Sequence, residues 1–534
     1  MSILTKPRCS TRTCLPAVDS WLGGALALLH ASLRRRFEHA PQFRLATELR
    51  DIRLGDPVAE NEEDTLSTYF LATAAFQQVL ASRATVFVGR KGSGKTANLL
   101  QAVEALRRDA RNLVCVIKPI WYEWSSLTRL LTDYERRDSK GYMMQSLWKL
   151  LIYTEIARNA VEELAHRGPS VPRTDDEQAF VDFVDGPGRF VRGDFAVRLE
   201  DAVDRLLSGL AAEGIATQRV AISEALHNGD LRILREHLGR LLAARDRVSI
   251  LIDNLDKGWV PGAALDSLAT FLLGLLTSIT DIASEFSRRD HRWREPVNVT
   301  LAVFLRSDIF AHVQRIAAEP DKIPVSRLTW ANDESLAHVV EERFVVARGG
   351  TATGSELWSK FFAEEVDGRT TRDYIISRVL PRPRDMIVLT SAAIGSAIDR
   401  GHGRVESDDV LRGEAAYSRF AFDAIQAEDG GPDVRLEDVL FELAGQSSCV
   451  TGDSLQLACS RAGVSSDALP GVIVRLVQLG VLGVETVLGE FAYTDDEREL
   501  QRNQALADRL ARESDHPRRY QVHPAFRSFL EMVE

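Results

Sequence analysis

The chain has 534 residues, of which 45% are hydrophobic and 27% charged, and its formal net charge is −11. These values are ordinary for a soluble globular protein, and a chain of this length divides into about three or four domains. The acidic balance argues against a surface that binds nucleic acid over its whole extent, although a local basic patch remains open.

We predict neither a membrane span nor a disulfide framework. No segment offers the roughly 18 unbroken apolar residues that a membrane helix needs. Cysteines occur at positions 9, 14, 115, 449 and 459. They are odd in number and form no C-x-x-C pair, so we interpret them as reduced thiols of a cytoplasmic protein. Arginine supplies nearly all of the positive charge, which favours a GC-rich and therefore bacterial coding sequence.

Residues 1–44 differ from the rest of the chain because they are strongly basic. An apolar stretch from Trp21 to Leu33 is followed by Arg34–Arg36, whereas a secretory signal requires a cleavable small-residue site at that point. We therefore expect a poorly ordered extension or an additional helix, or a start codon placed too far upstream, rather than a targeting signal.

Strands and helices begin to alternate after residue 63. The pattern predicts a helix over Asp64–Leu80 and a short buried strand over Ala84–Val88 that leads into a glycine turn. A helix is predicted from Thr96 to about Arg108, and a second strand over Leu113–Ile117. The glycine turn therefore lies between a β-branched strand and a helix.

This turn matches the pattern G-x-x-x-x-G-K-[ST] in full. It consists of Gly89, Arg90, Lys91, Gly92, Ser93, Gly94, Lys95 and Thr96, and Ala97 follows in the helix. Glycines allow successive loop N–H groups to point at a β-phosphate, Lys95 reaches the β- and γ-phosphate oxygens, and the Thr96 hydroxyl ligates Mg²⁺. The following helix directs its positive end at the same phosphates. We predict that residues 89–97 bind ATP with Mg²⁺; the alternative is a glycine turn with incidental lysines.

A long, mostly helical region from Ser125 to Arg247 precedes the third strand, Val248–Ile252. It exceeds what a simple crossover needs, so we predict an inserted helical subdomain at about 125–247. A further strand is predicted over Val299–Leu305. Alternating strands and helices predict a parallel sheet that is covered on both faces.

The third strand ends in Asp253, which we assign to Mg²⁺ through water; the alternative is a helix cap. In many ATPases with an additional strand between the two motifs, a glutamate follows this carboxylate. Asn254 occupies that position here, and it could orient a water without accepting its proton. Asp256 is either the base or the partner of Lys257.

Several arginines are candidates for contact with the γ-phosphate. Arg306 follows the strand Val299–Leu305, where it either senses the phosphate or closes a salt bridge. Arg382 and Arg384 open a helix in the C-terminal half, and the sequence does not separate their roles. Arg343 is a weaker candidate for contact with a neighbouring subunit.

Beyond Leu328 the pattern is helical to about Ile425 and then reaches a linker at Glu428–Pro432. Three helices and a hairpin follow, which is the element order of a winged helix. The predicted domains are the extension 1–44, a P-loop ATPase core 45–345, a helical lid 346–430 and a winged helix 431–534. The predicted fold class is therefore α/β, a P-loop NTPase parallel sheet with a large helical insert, a lid and a C-terminal winged helix.

Four motifs together resemble the STAND and KAP branch of P-loop ATPases, close to the origin-recognition type of AAA+ module. They are V-G-R-K-G-S-G-K-T (88–96), L-I-D-N-L-D-K-G-W (251–259), F-L-R-S-D-I-F (304–310) and L-T-W (328–330). The resemblance covers roughly residues 50–430. It implies that ATP binding is coupled to oligomerisation or domain rearrangement, with roles in signalling or anti-phage defence. Asn254, where many relatives carry an acid, implies slow hydrolysis.

Charge in the predicted winged helix bears on nucleic-acid binding. Residues 431–534 contain ten arginines and no lysine against seventeen aspartates and glutamates, and the predicted recognition helix carries only Arg475. DNA binding needs several phosphate contacts, so we favour packing or a protein partner. Arg518 and Arg519 remain a local basic spot.

The leading hypothesis is an ATP-dependent switch that forms homo-oligomers or engages a protein partner, without a membrane. A DNA-binding, origin-recognition-like ATPase is the alternative. A small-molecule kinase is less favoured, because a compact kinase needs neither the helical insert nor the large C-terminal region.

Overall fold

The computed structural model describes residues 48–119, 137–168, 170–186, 191–211, 230–256, 265–286, 296–428, 435–514 and 516–533. The predicted extension 1–44, Lys257 and nearly all of the predicted linker lie outside the described residues.

The first elements build the strand–loop–helix unit that the sequence predicts. They are α1 (Leu66–Tyr69), α2 (Ala74–Ala81), β1 (Ala84–Gly89), α3 (Lys95–Arg107) and β2 (Asn112–Ile117). The single helix predicted over 64–80 is wrong, because the chain leaves helical geometry between α1 and α2. Thr73 caps the new start, since its hydroxyl accepts a hydrogen bond from the Phe76 N–H at 3.3 Å.

The insert and the rest of the sheet follow. The insert comprises α4 (Arg137–His166), α5 (Asp175–Val184), α6 (Phe195–Ala211) and α7 (Asp230–Leu242). The remaining core elements are β3 (Arg247–Ile252), α8 (Leu265–Glu285), β4 (Val299–Arg306), α9 (Ser307–Ile316) and β5 (Val325–Arg327).

All five core strands are parallel, in the order β2-β3-β4-β1-β5. Strand β4 therefore lies between the two motif strands, β1 and β3. Gly89 at the end of β1 is in register with Arg306 at the end of β4, so both lie at the same edge of the sheet. The sequence did not predict β5, a strand of only three residues.

Side chains alternate between the two covered faces of the sheet. Val86 points to the face covered by α4 and α8, whereas Phe87 points to the face covered by α2 and α3. The rings of Phe87 and Phe304 stack on that second face with centroids 5.3 Å apart. Burial on both faces makes these strands nearly continuous apolar runs, as expected of a parallel sheet.

The insert contributes directly to the core. Helix α4 packs along α8, and the Trp148 indole N–H donates to the Phe271 carbonyl at 2.8 Å. Inside the insert, the fully buried Arg198 forms an ion pair with Glu155 and donates to the Thr154 hydroxyl at 2.8 Å. Its first helix is thus a layer of the core, and the buried ion pair fixes α6 against it.

Helix α8 is the one described helix whose length and mean hydropathy, 1.4 over 18 residues, would allow it to cross a membrane. Polar residues such as Thr270, Thr277 and Ser278 interrupt it, so it contains no unbroken run of 18 apolar residues. Within this protein the helix packs in the core, with 61% of that window buried. Burial of this kind explains its apolar composition.

The C-terminal half is helical up to residue 428. Its elements are α10 (Asp333–Ala347), α11 (Gly354–Phe361), β6 (Glu365–Val366), β7 (Arg369–Thr370), α12 (Thr371–Arg378), α13 (Pro383–Asp399) and α14 (Ser407–Glu428). We call residues 333–428 the lid. A boundary at residue 345 would cut α10, whose apolar side chains share a core with Leu49, Ile52 and Leu54.

The C-terminal domain, residues 435–533, has the predicted order of three helices, a hairpin and a further helix. It contains α15 (Leu436–Glu442), β8 (Cys449–Thr451), α16 (Gly452–Arg461), α17 (Leu469–Gln478), β9 (Leu482–Val487), β10 (Glu490–Ala492), α18 (Glu497–Ser514), β11 (Arg519–Val522) and α19 (Pro524–Arg527). The four strands form an antiparallel sheet in the order β10-β9-β11-β8. The sequence did not predict β8 and β11. The predicted fold class is confirmed.

Close packing of α13 on α14 generates a stability prediction. A Cβ added at Gly413 would lie 2.6 Å from the Ala393 backbone nitrogen, so Gly413→Ala must push the helices apart. We expect the free energy of unfolding to fall by about 1–3 kcal/mol. Gly395→Ala is the control, because nothing lies within 4 Å of its Cβ position. Alanine at position 395 should raise the free energy of unfolding by about 0.5–1 kcal/mol. Urea unfolding measures both; equal stability of the two variants would contradict the packing.

Candidate functional site

The loop after β1 has the shape that its glycines permit. Gly92 and Gly94 have φ angles of 82° and 89°, in the left-handed region that favours glycine. The Lys95 ammonium group folds back and donates to the carbonyls of Gly89 and Arg90, at 2.9 Å each. Burial lowers the pKa of Lys95, and the carboxylates of Asp253 and Asp256 act in the opposite direction.

Two contacts hold the middle of the loop from outside. The indole N–H of Trp330, which follows β5, donates to the Ser93 carbonyl at 2.9 Å. The Asn98 amide, one turn into α3, donates to the Gly94 carbonyl at 2.8 Å. The role of Trp330 was not predictable from the sequence, because its contact depends on β5 pairing with β1.

Thr96 and Asp253 lie together at the start of α3 and the end of β3. The Thr96 hydroxyl donates to Asp253 Oδ2 at 3.0 Å, and the Asp253 residue is only 4% exposed. Burial raises the pKa of Asp253. Residues 253–256 form no helix, so the helix-cap alternative has no support within the described residues. A hydroxyl beside a buried carboxylate is a donor set that suits Mg²⁺.

Asn254, Asp256 and Arg306 extend this edge of the sheet. Asn254 has a φ of 61°, a left-handed conformation that is uncommon outside glycine. Arg306 Nη1 lies 3.7 Å from Asp256 Oδ2, and Arg306 Nη2 donates to Asp308 Oδ2 at 2.7 Å. Arg306 therefore forms the salt bridges that one of the two sequence hypotheses predicts. It also lines the cavity described next.

A cavity of about 310 Å³ brings most predicted site residues together. Its polar lining includes Lys91, Lys95, Thr96, Asp253, Asn254, Asp256, Arg306, Arg343 and Arg384. Its apolar lining includes Pro57, Val58, Ala59, Leu66 and Ile387. The lining thus combines charged and apolar side chains. Arg90 and Arg382 are not among its lining residues.

The structure separates Arg382 from Arg384. Arg382 is buried and donates to the Lys91 carbonyl at 2.8 Å and to Glu428 Oε1 at 2.7 Å. Arg384 lines the cavity and lies over the Phe420 ring, with Cζ 4.9 Å from its centroid. Within the described part of the chain, the buried Nε of Arg384 has no hydrogen-bond partner. Of these two arginines, Arg384 is therefore the one that lines the cavity.

Arg343 makes its observed contacts within its own chain. Its guanidinium is buried, donates to the Leu54 carbonyl at 2.6 Å and lies 4.3 Å from the Tyr69 ring centroid. Burial lowers the pKa of Arg343. Because it also lines the cavity, Arg343 belongs to the site of its own chain.

Glu428 joins three arginines at the end of α14, and no sequence pattern predicted this. Its carboxylate pairs with Arg382 and lies 3.7 Å from Arg90 Nη2, and its carbonyl accepts from Arg306 at 2.9 Å. Burial acts to raise the pKa of Glu428, but the charges of Arg382 and Arg90 outweigh it and lower the pKa to about 2. The carboxylate is therefore ionised at neutral pH.

The C-terminal domain docks against the back of the loop. Arg90 donates to the Leu479 carbonyl at the end of α17. Arg327 in β5 pairs with Asp496 at 2.5 Å. Arg475, the single arginine of the predicted recognition helix, lines the cleft between the two parts. That arginine therefore faces the core of its own chain.

The basic spot at Arg518 and Arg519 is neutralised in the structure. Arg518 pairs with Asp508, and Arg519 Nε donates to Glu485 Oε2 at 2.8 Å. Each guanidinium therefore has a carboxylate partner within the C-terminal domain.

Trp330 provides a test of how the loop is held. Trp330→Phe retains a ring but removes the donor to Ser93, so amide hydrogen exchange over residues 90–96 should become faster, by about fivefold for a hydrogen bond worth about 1 kcal/mol. Trp358→Phe is the matched control, because that indole donates to Glu341 Oε1 at 2.7 Å, away from the loop. Equal exchange in both variants would show that Trp330 does not support the loop.

Comparison of the sequence with known families finds one match. The FunZ-associated C-terminal helical domain matches residues 334–426, which run through the lid. A curated relative in Escherichia coli strain K12, the "Putative transposon gamma-delta 80.3 kDa protein", is 22% identical over 383 residues. The aligned region covers 70% of this chain and 50% of the relative, so the chain spans about half the length of the curated relative it matches.

Three of the similar solved structures are compared in fold. Aeropyrum pernix ORC2 in its ADPNP–ADP complexes has a TM-score of 0.38 at 12% identity, covering 93% of this chain and 96% of that one. Pyrobaculum aerophilum Cdc6p has a TM-score of 0.29 at 12% identity, covering 87% and 96%. The Thermotoga maritima RuvB Holliday junction branch migration motor has a TM-score of 0.27 at 12% identity, covering 84% and 95%. At these TM-scores the likenesses support no functional inference.

Proposed function

We propose that this chain is an ATP-binding P-loop protein that hydrolyses ATP slowly and uses its nucleotide state to control oligomerisation or the engagement of a partner. The observation that carries the proposal is the convergence of Lys95, Thr96 and Asp253 on one cavity. We include in this proposal a relationship to the AAA+ ATPases, within the STAND and KAP branch. We also include the division of the chain into a core, a lid and a winged helix.

Phosphate binding would use the loop and its lysine. The loop N–H groups and the start of α3 favour an anion, and the Lys95 ammonium now held by the carbonyls of Gly89 and Arg90 would exchange them for phosphate oxygens. Arg384 is the proposed lid contact to the γ-phosphate. Lys91 also lines the cavity and adds positive charge.

Thr96 and Asp253 are the residues that would hold Mg²⁺. Bound there, the ion would neutralise phosphate charge. Desolvation makes an isolated buried carboxylate unfavourable, and a divalent cation would remove that cost at Asp253. The apolar lining of the cavity, which includes Val58, Leu66 and Ile387, suits the faces of an adenine ring.

Hydrolysis requires a water oxygen to attack the γ-phosphorus while the bond to the β-γ bridging oxygen breaks and the water proton passes to a base. Asp256 is the proposed base, with Asn254 orienting the water. Arg306 lies between Asp256 and Asp308, so it is already engaged by two carboxylates. This engagement favours slow turnover, and with it a switch rather than a motor.

A DNA-binding ATPase is the weaker candidate. Two observations weigh against it: Arg475 faces the cleft, and both Arg518 and Arg519 have carboxylate partners. We therefore propose a second copy of the chain or another protein as the partner, in the cytoplasm.

Turnover and particle size test the proposal directly. Lys95→Ala should abolish ATP binding and any ATP-dependent change in size. Asp256→Asn should bind ATP normally and lose about a hundredfold in turnover, the low end of general-base effects. Light scattering with and without Mg²⁺-ATP and phosphate release measure these outcomes. Identical size in both nucleotide states would refute the switch, and unchanged turnover in Asp256→Asn would remove its role as base.

The two ends of α13 allow the proposed γ-phosphate contact to be tested. Arg384→Met should weaken ATP binding about tenfold and leave ADP binding nearly unchanged, since only ATP carries the γ-phosphate; one charge-assisted contact is worth about 1.5–3 kcal/mol. Arg400→Met is the control, because Arg400 caps the far end of α13 and pairs with Asp409 at 2.9 Å. Titration of each variant with ATP and with ADP measures the ratio of the two affinities. An equal loss of affinity for ATP and ADP in Arg384→Met would contradict the proposed contact of Arg384 with the γ-phosphate.

A further inference from the structure

We infer that Glu428 is a positioning residue that couples nucleotide binding in the loop to docking of the C-terminal domain. The inference rests on the proposed function, because it concerns the same nucleotide cavity. Glu428 does not line that cavity, so it acts through the arginines that it holds.

Residues 90 and 91 lie between the nucleotide cavity and a second cleft beside the C-terminal domain. Lys91 lines the nucleotide cavity on one side and a cleft of about 160 Å³ on the other. Arg90 lines only the cleft, together with Glu428 and Leu479. The segment proposed to bind phosphate on its front is therefore the segment that docks the C-terminal domain on its back.

The contacts across this segment form a continuous chain. Arg382 donates both to the Lys91 carbonyl, at 2.8 Å, and to Glu428, at 2.7 Å. Glu428 also faces Arg90, whose guanidinium donates to the Leu479 carbonyl. One carboxylate, 6% exposed, thus fixes the loop to the lid and to the C-terminal domain.

Charge and loop preorganisation determine whether docking of the C-terminal domain strengthens or weakens nucleotide binding. Without the carboxylate, the half-buried Arg90 and the buried Arg382 would repel one another, and their contacts to the Leu479 and Lys91 carbonyls would loosen. A glycine-rich loop freed of these contacts has more conformational freedom to lose when it binds phosphate. A docked C-terminal domain should therefore favour nucleotide binding, and nucleotide should by reciprocity favour docking.

Glu428→Gln tests this coupling, and Glu414→Gln is its matched control. Glu414 lies buried on the same helix, where it accepts from the Tyr374 hydroxyl at 2.6 Å, away from the loop. Binding of N-methylanthraniloyl-ATP gives the affinity, and amide hydrogen exchange over Leu469–Gln478 reports docking without nucleotide. Arg90→Met supplies a second variant, because it removes the contact to Leu479 and leaves Glu428 paired with Arg382.

We expect Glu428→Gln and Arg90→Met to weaken nucleotide binding about tenfold, within the usual range of coupling between sites, and to speed exchange over 469–478. Glu414→Gln should leave both unchanged. In the wild type, nucleotide should slow exchange over 469–478. Normal or tighter binding by both Glu428→Gln and Arg90→Met would overturn the inference while the proposed function stands. A wild-type protein that binds no nucleotide would overturn the proposed function itself.

Discussion

A loop with glycine at three of its first six positions, 89, 92 and 94, cannot hold its shape through its own torsional preferences. The rest of the site depends on how neighbouring elements supply that shape. Trp330 supports the loop from the β5 side, Asn98 from α3, and Arg382 from the lid. A phosphate-binding loop that is held from three directions pays less conformational entropy on binding. Its affinity is then a property of the surrounding fold as well as of the motif.

The sequence predicted features that are local. Strand β3 ends at Ile252, the predicted position, and Asp253 follows it. The loop lies between β1 and α3, because short apolar runs and glycine turns carry their own signal. Features set by distant contacts were not predictable. The three-residue β5 exists through its pairing with β1, and Glu428, which the sequence placed in a linker, acquires its role from arginines far away in the chain. The assignments of individual site residues remain predictions.

The arginines show most clearly that sequence patterns do not predict features set by distant contacts. Arg382 and Arg384 have the same chemistry and nearly the same sequence context, so no residue pattern separates them. In the fold, one is satisfied by a carbonyl and a carboxylate, while the other lies over Phe420 and lines the cavity. The arginines of the C-terminal domain follow the same rule, since pairing and direction, rather than number, decide which cations a ligand meets.

Glu428 also contacts Arg306, which lies beside Asp256, the proposed base for hydrolysis. Arg306 donates to the Glu428 carbonyl and lies 3.7 Å from Asp256, so the surroundings of the proposed base depend on where α14 ends. Arg306 cannot turn towards a phosphate without leaving Asp308 or that carbonyl. A shift of the lid would therefore alter nucleotide affinity through Arg382 and turnover through Arg306 together. A switch needs this property, because a domain movement can bias an equilibrium only where the two arrangements bind the ligand differently.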